Sequence, residues 1–461
     1  MNTALPTITA EAVRDMLRAG HEIALIDVRE EHPFAMEHPL FAVQLSPSRI
    51  LHDTPWRLPR RDVMAVLYDD GEGLAEPAAR TLVALGYSQV HLLAGPAGTT
   101  RNGLQAWRDS GGELFRDVNV PSKAFGELVE HVRHTPSLAA EEVKALIDSG
   151  ADVVVLDTRR FEEYQTMSIP SGTSVPGAEL VLHVRDLAPN PATRVIVNCA
   201  GRTRSIIGTQ SLVNAGIPNP VAALRNGTIG WLLAGQVLER GQQRRFGPVS
   251  DAARAATAQA AQALADRAGA QGLDNAQLAA WLADTTRTLY RWDVRTPEDY
   301  AAGHRPGFGS APGGQLVQET DVFAAVRGAR IVLDDGGSQA DGVRAAMTAH
   351  WLAQMGWQVG WLTDAAPAGS LHTGPWSAPA AASPADGLPQ AAVAAGLLGL
   401  PTNRYRRPYE GTDAPAAAMQ AYLDWEYGLV AQLGRDATHG FQVLMADGGK
   451  PAAASSGAAP V

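Results

Sequence analysis

The chain has 461 residues, 45% of them hydrophobic, and a formal net charge of −10 at pH 7. That length exceeds one ordinary core and suits about three domains, while the acidic balance argues against a general binder of nucleic acid or anionic membrane. A single cysteine, Cys199, excludes an internal disulfide framework and any multi-cysteine metal site.

No apolar run reaches the roughly 20 residues that span a bilayer. The start, Met1-Asn2-Thr3-Ala4-Leu5-Pro6, lacks the basic and apolar stretches of a secretory signal. The expected compartment is therefore the cytoplasm. In chain order, a helix-like stretch from Thr9 to Ala19 leads into an apolar run that ends Leu25-Ile26-Asp27-Val28-Arg29. A second β-rich run, Met64-Ala65-Val66-Leu67-Tyr68, precedes a Gly-containing loop, a helical pattern from Ala75 to Leu85 and a short strand from Gln89 to Leu93. Asn102-Gly103 with Trp107 closes the unit.

The same order recurs twice. The middle copy has a helix from Ala139 to Ser149, the run Val155-Leu156-Asp157-Thr158-Arg159, the strand Val195-Ile196-Val197-Asn198, a helix from Ser205 to Ala215, a strand from Pro220 to Leu224, and Asn226-Gly227 with Trp231. The third has a helix from Asn275 to Thr285, Trp292-Asp293-Val294-Arg295, the strand Ile331-Val332-Leu333, a helix from Gly342 to Met355 and a strand from Gln358 to Leu362. Strands alternating with helices at this spacing predict a parallel sheet covered on both faces. Its ligands belong in the loops after the strands' carboxyl ends. The predicted units are residues 1–118, 130–246 and 273–366, joined by a helical linker over 247–272. A Pro- and Ala-rich linker, Ala365 to Pro389, falls in the last part, 367–461, with one amphipathic helix from Ala414 to Leu433 and a disordered end from Gly448 to Val461. The basic and aromatic stretch Arg404-Tyr405-Arg406-Arg407-Pro408-Tyr409 precedes that helix, and docking on the other domains is its expected role.

A lone cysteine is by default a small buried hydrophobe. The surroundings of Cys199 argue otherwise. It follows a buried-type strand, in the loop Cys199-Ala200-Gly201-Arg202-Thr203-Arg204-Ser205, where a helix opens. Loop amides form an anion-binding nest, the helix N-terminus adds positive potential, Arg202 and Arg204 add full charges, and Gly201 lets the backbone curl. Together these predict a lowered thiol pKa and a nucleophile near neutral pH.

The loop resembles the active-site loop of rhodanese domains, and the resemblance extends to Asp157-Thr158-Arg159 and to Asn226-Gly227 with Trp231. It is clear over about residues 135–245 and weaker over 5–115 and 275–365. It implies an α/β fold of tandem rhodanese-like domains, each a small parallel sheet with helices on both faces, plus a mainly helical C-terminal tail. It implies a thiosulfate sulfurtransferase-like enzyme in which Cys199 carries sulfur as a persulfide, with Ala200, Gly201, Arg202, Thr203, Arg204 and Ser205 binding substrate. Arg204 is then the anion-contacting residue, Arg202 an aid to binding the sulfur source, and Asp157 with Arg159 an internal ion pair. No cofactor or metal is expected. The implied partners are a small sulfur donor and a thiol or cyanide-like acceptor, with a protein acceptor open, and neither nucleic acid nor membrane. In the outer copies Asp70 and Asp335 are read as standing in the place of Cys199, which makes those copies non-catalytic. The middle copy lacks the histidine often seen in the family; His304 in the third is expected to cap or pack.

Two rivals remain at this point. A cysteine-based phosphatase or arsenate reductase uses the same cradle, but such loops place the arginine one position further on, where this chain has Ser205. A non-turnover sulfur carrier or redox scaffold would suit a protein with two inactive copies. His350, His372 and His439 are isolated and are expected at the surface or in packing.

Overall fold

A computed structural model describes residues 4–96, 102–336, 342–379, 403–410, 413 and 415–445. Short runs rich in Val, Ile and Leu become buried parallel strands, as both-face coverage requires. The first sheet contains β1 (Thr7–Thr9), β2 (Ile23–Asp27), β3 (Ala42–Gln44), β4 (Met64–Tyr68) and β5 (Val90–Ala94), in the spatial order β1-β5-β4-β2-β3. The second contains β6 (Ser137–Leu138), β7 (Val153–Asp157), β8 (Thr173–Ser174), β9 (Arg194–Asn198) and β10 (Val221–Leu224), in the order β6-β10-β9-β7-β8. The third contains β11 (Gln271–Leu273), β12 (Leu289–Asp293), β13 (Gly309–Ser310), β14 (Arg330–Asp334) and β15 (Gln358–Leu362), in the order β11-β15-β14-β12-β13. The three topologies are the same, and the third copy, the most divergent in sequence, keeps it in full.

The repeated Asp-x-Arg has one structural job in all three copies. Each Asp ends a central strand, and each Arg folds back on it. Arg159 donates to both oxygens of Asp157 (2.9 and 2.7 Å) and to the carbonyl of Met167 (2.5 Å). Arg29 does the same with Asp27 and the Glu37 carbonyl, and Arg295 with Asp293 and the Gly303 carbonyl. Bidentate geometry and the extra carbonyl offset the desolvation of a buried pair. His304 stacks on Tyr300, with centroids 3.8 Å apart, and its Nδ1 bonds the Tyr300 carbonyl. His38 stands likewise on Phe34 at 3.9 Å, a packing histidine that the sequence pattern did not reveal.

Strand register corrects one expectation. The last residues of β4, β9 and β14, which are Tyr68, Asn198 and Asp334, pair with Asp27, Asp157 and Asp293. The next residue is Cys199 in the middle copy, Asp335 in the third and Asp69 in the first, so Asp69 rather than Asp70 stands in the cysteine's place. The shared letters Asp-Asp-Gly in the two outer copies are offset by one residue against the strands. Asp69 accepts from the amides of Gly71, Leu74 and Ala75 at 3.0, 2.5 and 2.9 Å. Asp335 accepts from the Arg344 amide at 2.9 Å and from its guanidinium at 3.3 Å. In the first copy a carboxylate fills the cradle, and in the third Asp335 takes the cysteine's position at the strand end. The third loop's Gly337 and Ser338 lie outside the described residues.

The helix Val120–Arg133 joins the first two copies and is buried from Val120 to Val129. The helix Asp251–Arg267 packs against Val343–Gln354. The single helix expected over Ala414 to Leu433 is two, Ala416–Tyr427 and Leu429–Asp436, meeting at Gly428, a residue with weak helix propensity. Residues 380–389 of the expected linker and the stretch from Gly448 to Val461 lie outside the described residues. His350 is buried, with Nδ1 on the Leu264 carbonyl, and burial pushes it down to about 4. Among the described residues no helix is long and apolar enough to cross a membrane.

Candidate active site

β9 delivers Cys199 to a buried position, 2% exposed. The helix Thr203–Asn214 begins within the loop, earlier than the sequence pattern suggested, so Arg204 and Ser205 lie in its first turn. The thiol donates to Ser205 Oγ at 3.4 Å. Ser205 Oγ in turn donates to the Arg202 carbonyl at 2.8 Å.

The other side of the loop is fastened outward. The Cys199 carbonyl accepts from the Thr228 amide at 2.9 Å, and the Ala200 carbonyl from the Ile229 amide at 3.0 Å and Thr228 Oγ1 at 3.2 Å. Carbonyls held against the helix Gly227–Leu233 leave the succeeding amides toward the sulfur side, the arrangement of an anion nest. This close approach accounts for the Asn-Gly pair. Gly227 has φ +55°, and a Cβ there would fall 2.3 Å from the Cys199 oxygen.

The two arginines part company. Arg204 makes a two-pronged ion pair with Glu163 at 2.7 and 2.9 Å. Burial opposes ionisation of Glu163, yet Arg204 holds its carboxyl down to about 2. Arg204 also favours the thiolate of Cys199, as does the Ser205 bond, but burial outweighs both and the thiol sits above its ordinary value. The expectation of a lowered thiol pKa is thus corrected: loop charge is present, and desolvation of the enclosed sulfur is larger. Arg202 is engaged elsewhere. Its guanidinium donates to Glu127 at 2.7 and 2.8 Å, to Asn226 Oδ1 at 3.1 Å and to Glu130, and it lies 3.9 Å from the Tyr427 ring centroid. It ties the loop to the helix Val120–Arg133 instead of reaching for a sulfur source. Thr203 packs against the same helix, where a Cβ on Gly126 would meet its Cγ2 at 2.9 Å.

The tail supplies what sequence reasoning missed. Helix Ala416–Tyr427 lies on the loop: a Cβ on Gly201 would come 3.2 Å from Glu426 Oε2 and 3.3 Å from Tyr422 Cε1. Met419, Tyr422 and Leu423 form an apolar cluster with Ile229 behind the loop. The basic-aromatic stretch runs from the first copy, where Tyr405 bonds Asp117 Oδ2 at 3.1 Å, to a cavity of about 420 Å³ at the site's mouth. Ala200, Arg204 and Glu163 line that cavity with Arg407 and Tyr409 of the tail and Gln315 and Glu319 of the third copy. The only signal in the sequence was the density of Arg and Tyr in that stretch.

The family model described as "Rhodanese-like domain" matches residues 9–108 and 139–234. The Bacillus subtilis (strain 168) protein YrkF, whose name describes a sulfur carrier, is 26% identical over 140 residues, covering 27% of this chain and 72% of its own length. A crystal structure of thiosulfate sulfurtransferase from Pseudomonas aeruginosa is 53% identical, covers 96% of this chain and 100% of that one, and superposes with a TM-score of 0.88. A relative more than half identical along its entire length, with the same fold, carries the site's geometry to its conclusion: the chain belongs to the rhodanese family of sulfurtransferases.

Proposed function

We propose that the protein moves sulfane sulfur from thiosulfate to cyanide or a thiol through a persulfide on Cys199. The observation that carries this reading is the sulfur's seat. Cys199 Sγ sits 3.4 Å from Ser205 Oγ, to which it donates, at the opening of the helix Thr203–Asn214, and the Arg204 charge favours its thiolate. The thiolate attacks the outer sulfur of thiosulfate, the S–S bond of the donor breaks, and sulfite leaves with the bonding pair. The new terminal sulfur carries the negative charge, which the amides of Ala200 to Ser205 and the helix N-terminus stabilise. The acceptor then attacks that sulfur and releases the Cys199 thiolate.

Arg204 faces the mouth cavity and would draw a small dianion toward the thiol. The outer copies take no part, because the Asp69 and Asp335 carboxylates stand in the cysteine's place, cannot carry a persulfide and repel an anionic donor. The test is the intact mass of reduced protein after incubation with thiosulfate, beside Cys199→Ser. A gain of one sulfur atom in the native protein alone, discharged by cyanide as thiocyanate, is expected. No gain with thiosulfate, 3-mercaptopyruvate or glutathione persulfide would overturn the reading.

A further inference from the structure

We propose that the cleft between the first and third copies is a binding site for a planar aromatic carboxylate, held by Arg291 among three tryptophans. The cavity there has a volume of about 520 Å³, within the range of small-molecule sites (about 300–1,000 Å³). No residue of the Cys199 loop lines it.

Its walls come from segments far apart in sequence. Trp56 comes from the helix Ile50–Arg57 of the first copy, Trp292 from β12 of the third, and Trp376 from the stretch after β15. That stretch is fixed in place. His372 exchanges two backbone bonds of 2.9 Å with His304, and the Gly374 amide bonds the Ala301 carbonyl at 2.8 Å. The three indoles meet edge to face, with centroids 5.8, 6.1 and 6.3 Å apart and planes crossing at 86, 70 and 82°. Trp56 and Trp376, both partly exposed, offer apolar surface that a flat ring would cover.

Arg291 supplies the charge. It stands in β12, half-buried, with its guanidinium over Gly307, where a Cβ would fall 2.7 Å from Nη1. Among the described residues it makes no ion pair or hydrogen bond, and burial alone holds its pKa below the ordinary arginine value. Four residues on, Arg295 is also largely buried but pairs with Asp293. None of the described side chains lining the cavity is acidic, although the chain carries a net charge of −10. A partly desolvated cation without a partner costs stability, and an anion in the cavity offsets that cost. A guanidinium is a flat fork that meets a carboxylate through two parallel bonds. A carboxylate on an aromatic ring answers both the charge and the indoles. A cation would be repelled, and an apolar ligand would leave Arg291 unpaired.

The experiment titrates 1-naphthoate calorimetrically into the native protein, Arg291→Gln and Trp376→Ala. 1-Naphthamide and cyclohexanecarboxylate serve as the neutral and the non-aromatic comparisons. The native protein binds 1-naphthoate saturably and at least about tenfold more tightly than either comparison, as a charge-assisted pair beneath a stacked ring requires. R291Q binds the carboxylate and the amide alike, while W376A weakens both. R291Q has no bond to lose, so its urea midpoint is at least the native one. No saturable binding of 1-naphthoate, or equal native affinity for all three compounds, would overturn the assignment. So would an R291Q that keeps its preference for the carboxylate, which would place the ligand at another cation such as Arg204. A lowered urea midpoint in R291Q would make the arginine a structural one, with the same consequence.

Discussion

Gly227→Ala tests how the loop's outward fastening serves the sulfur. A Cβ at Gly227 would lie 2.3 Å from the Cys199 oxygen, 2.7 Å from the Gly201 oxygen and 2.9 Å from the Ala200 carbonyl carbon, all of them backbone. Relief needs a shift of about 1 Å, since carbon atoms meet neighbours comfortably at about 3.5–4.0 Å. That shift breaks the bonds from the Thr228 and Ile229 amides, each worth about 0.5–1.5 kcal/mol. The left-handed φ adds about 1–3 kcal/mol of strain. The sum is a loss of about 2–6 kcal/mol, and displacing the sulfur's surroundings by about 1 Å costs about 10²-fold in rate.

Gly216→Ala is the matched control, because Gly216 has φ +66° and no atom within 4 Å of an added Cβ. It should lose the strain energy alone and load sulfur normally. Urea unfolding and single-turnover sulfite release measure both effects. G227A no less stable than G216A and loading at the native rate would refute the argument.

Arg202→Ala should act on stability. It strands the buried Glu127 carboxylate, a break worth about 3–5 kcal/mol, and leaves the thiosulfate dependence of loading in place. A raised half-saturating concentration at native stability would return Arg202 to donor binding. Asp69→Ala should cost about 1–3 kcal/mol by orphaning three amides, with the loading rate unchanged; a slower rate would implicate the first cradle in the chemistry. Glu163 is depressed to about 2 in the folded protein, below an unfolded value of about 4.3. Its pair with Arg204 therefore stabilises above that value, and the contribution disappears as pH falls from about 5 to about 2. Glu163→Gln should flatten thermal stability over that window, modestly because a third of the side chain is exposed. Equal slopes for both proteins would count against it.

What the sequence displayed and what it concealed divide along one physical line. Local patterns were legible: the apolar runs that become strands, the Asp-x-Arg pairs whose partners lie two residues apart, and the loop that opens a helix at Cys199. Relations between distant segments were not. Charge near Cys199 was countable, but the destination of Arg202 depends on Glu127, a residue on another element. The raised thiol pKa depends on enclosure, which includes a helix more than two hundred residues away in sequence. Asp70 and Asp335 share the letters Asp-Asp-Gly, but strand register puts Asp69 in the cysteine's place. Gly428 divides a helix whose apolar positions read as continuous.

The tail's moorings carry a further consequence. Asn403 accepts from His32, Tyr405 bonds Glu31 and Asp117, and further along Gln432 and Arg435 hold Leu114 and Glu113, all of them in or just after the first copy. The first copy, which has no cysteine, is thus the quay to which the cover of the Cys199 loop is tied. An excised middle copy is for the same reason not a miniature of the whole: it would bare the apolar back of its own loop, and its cysteine would work in a wetter and electrically different chamber.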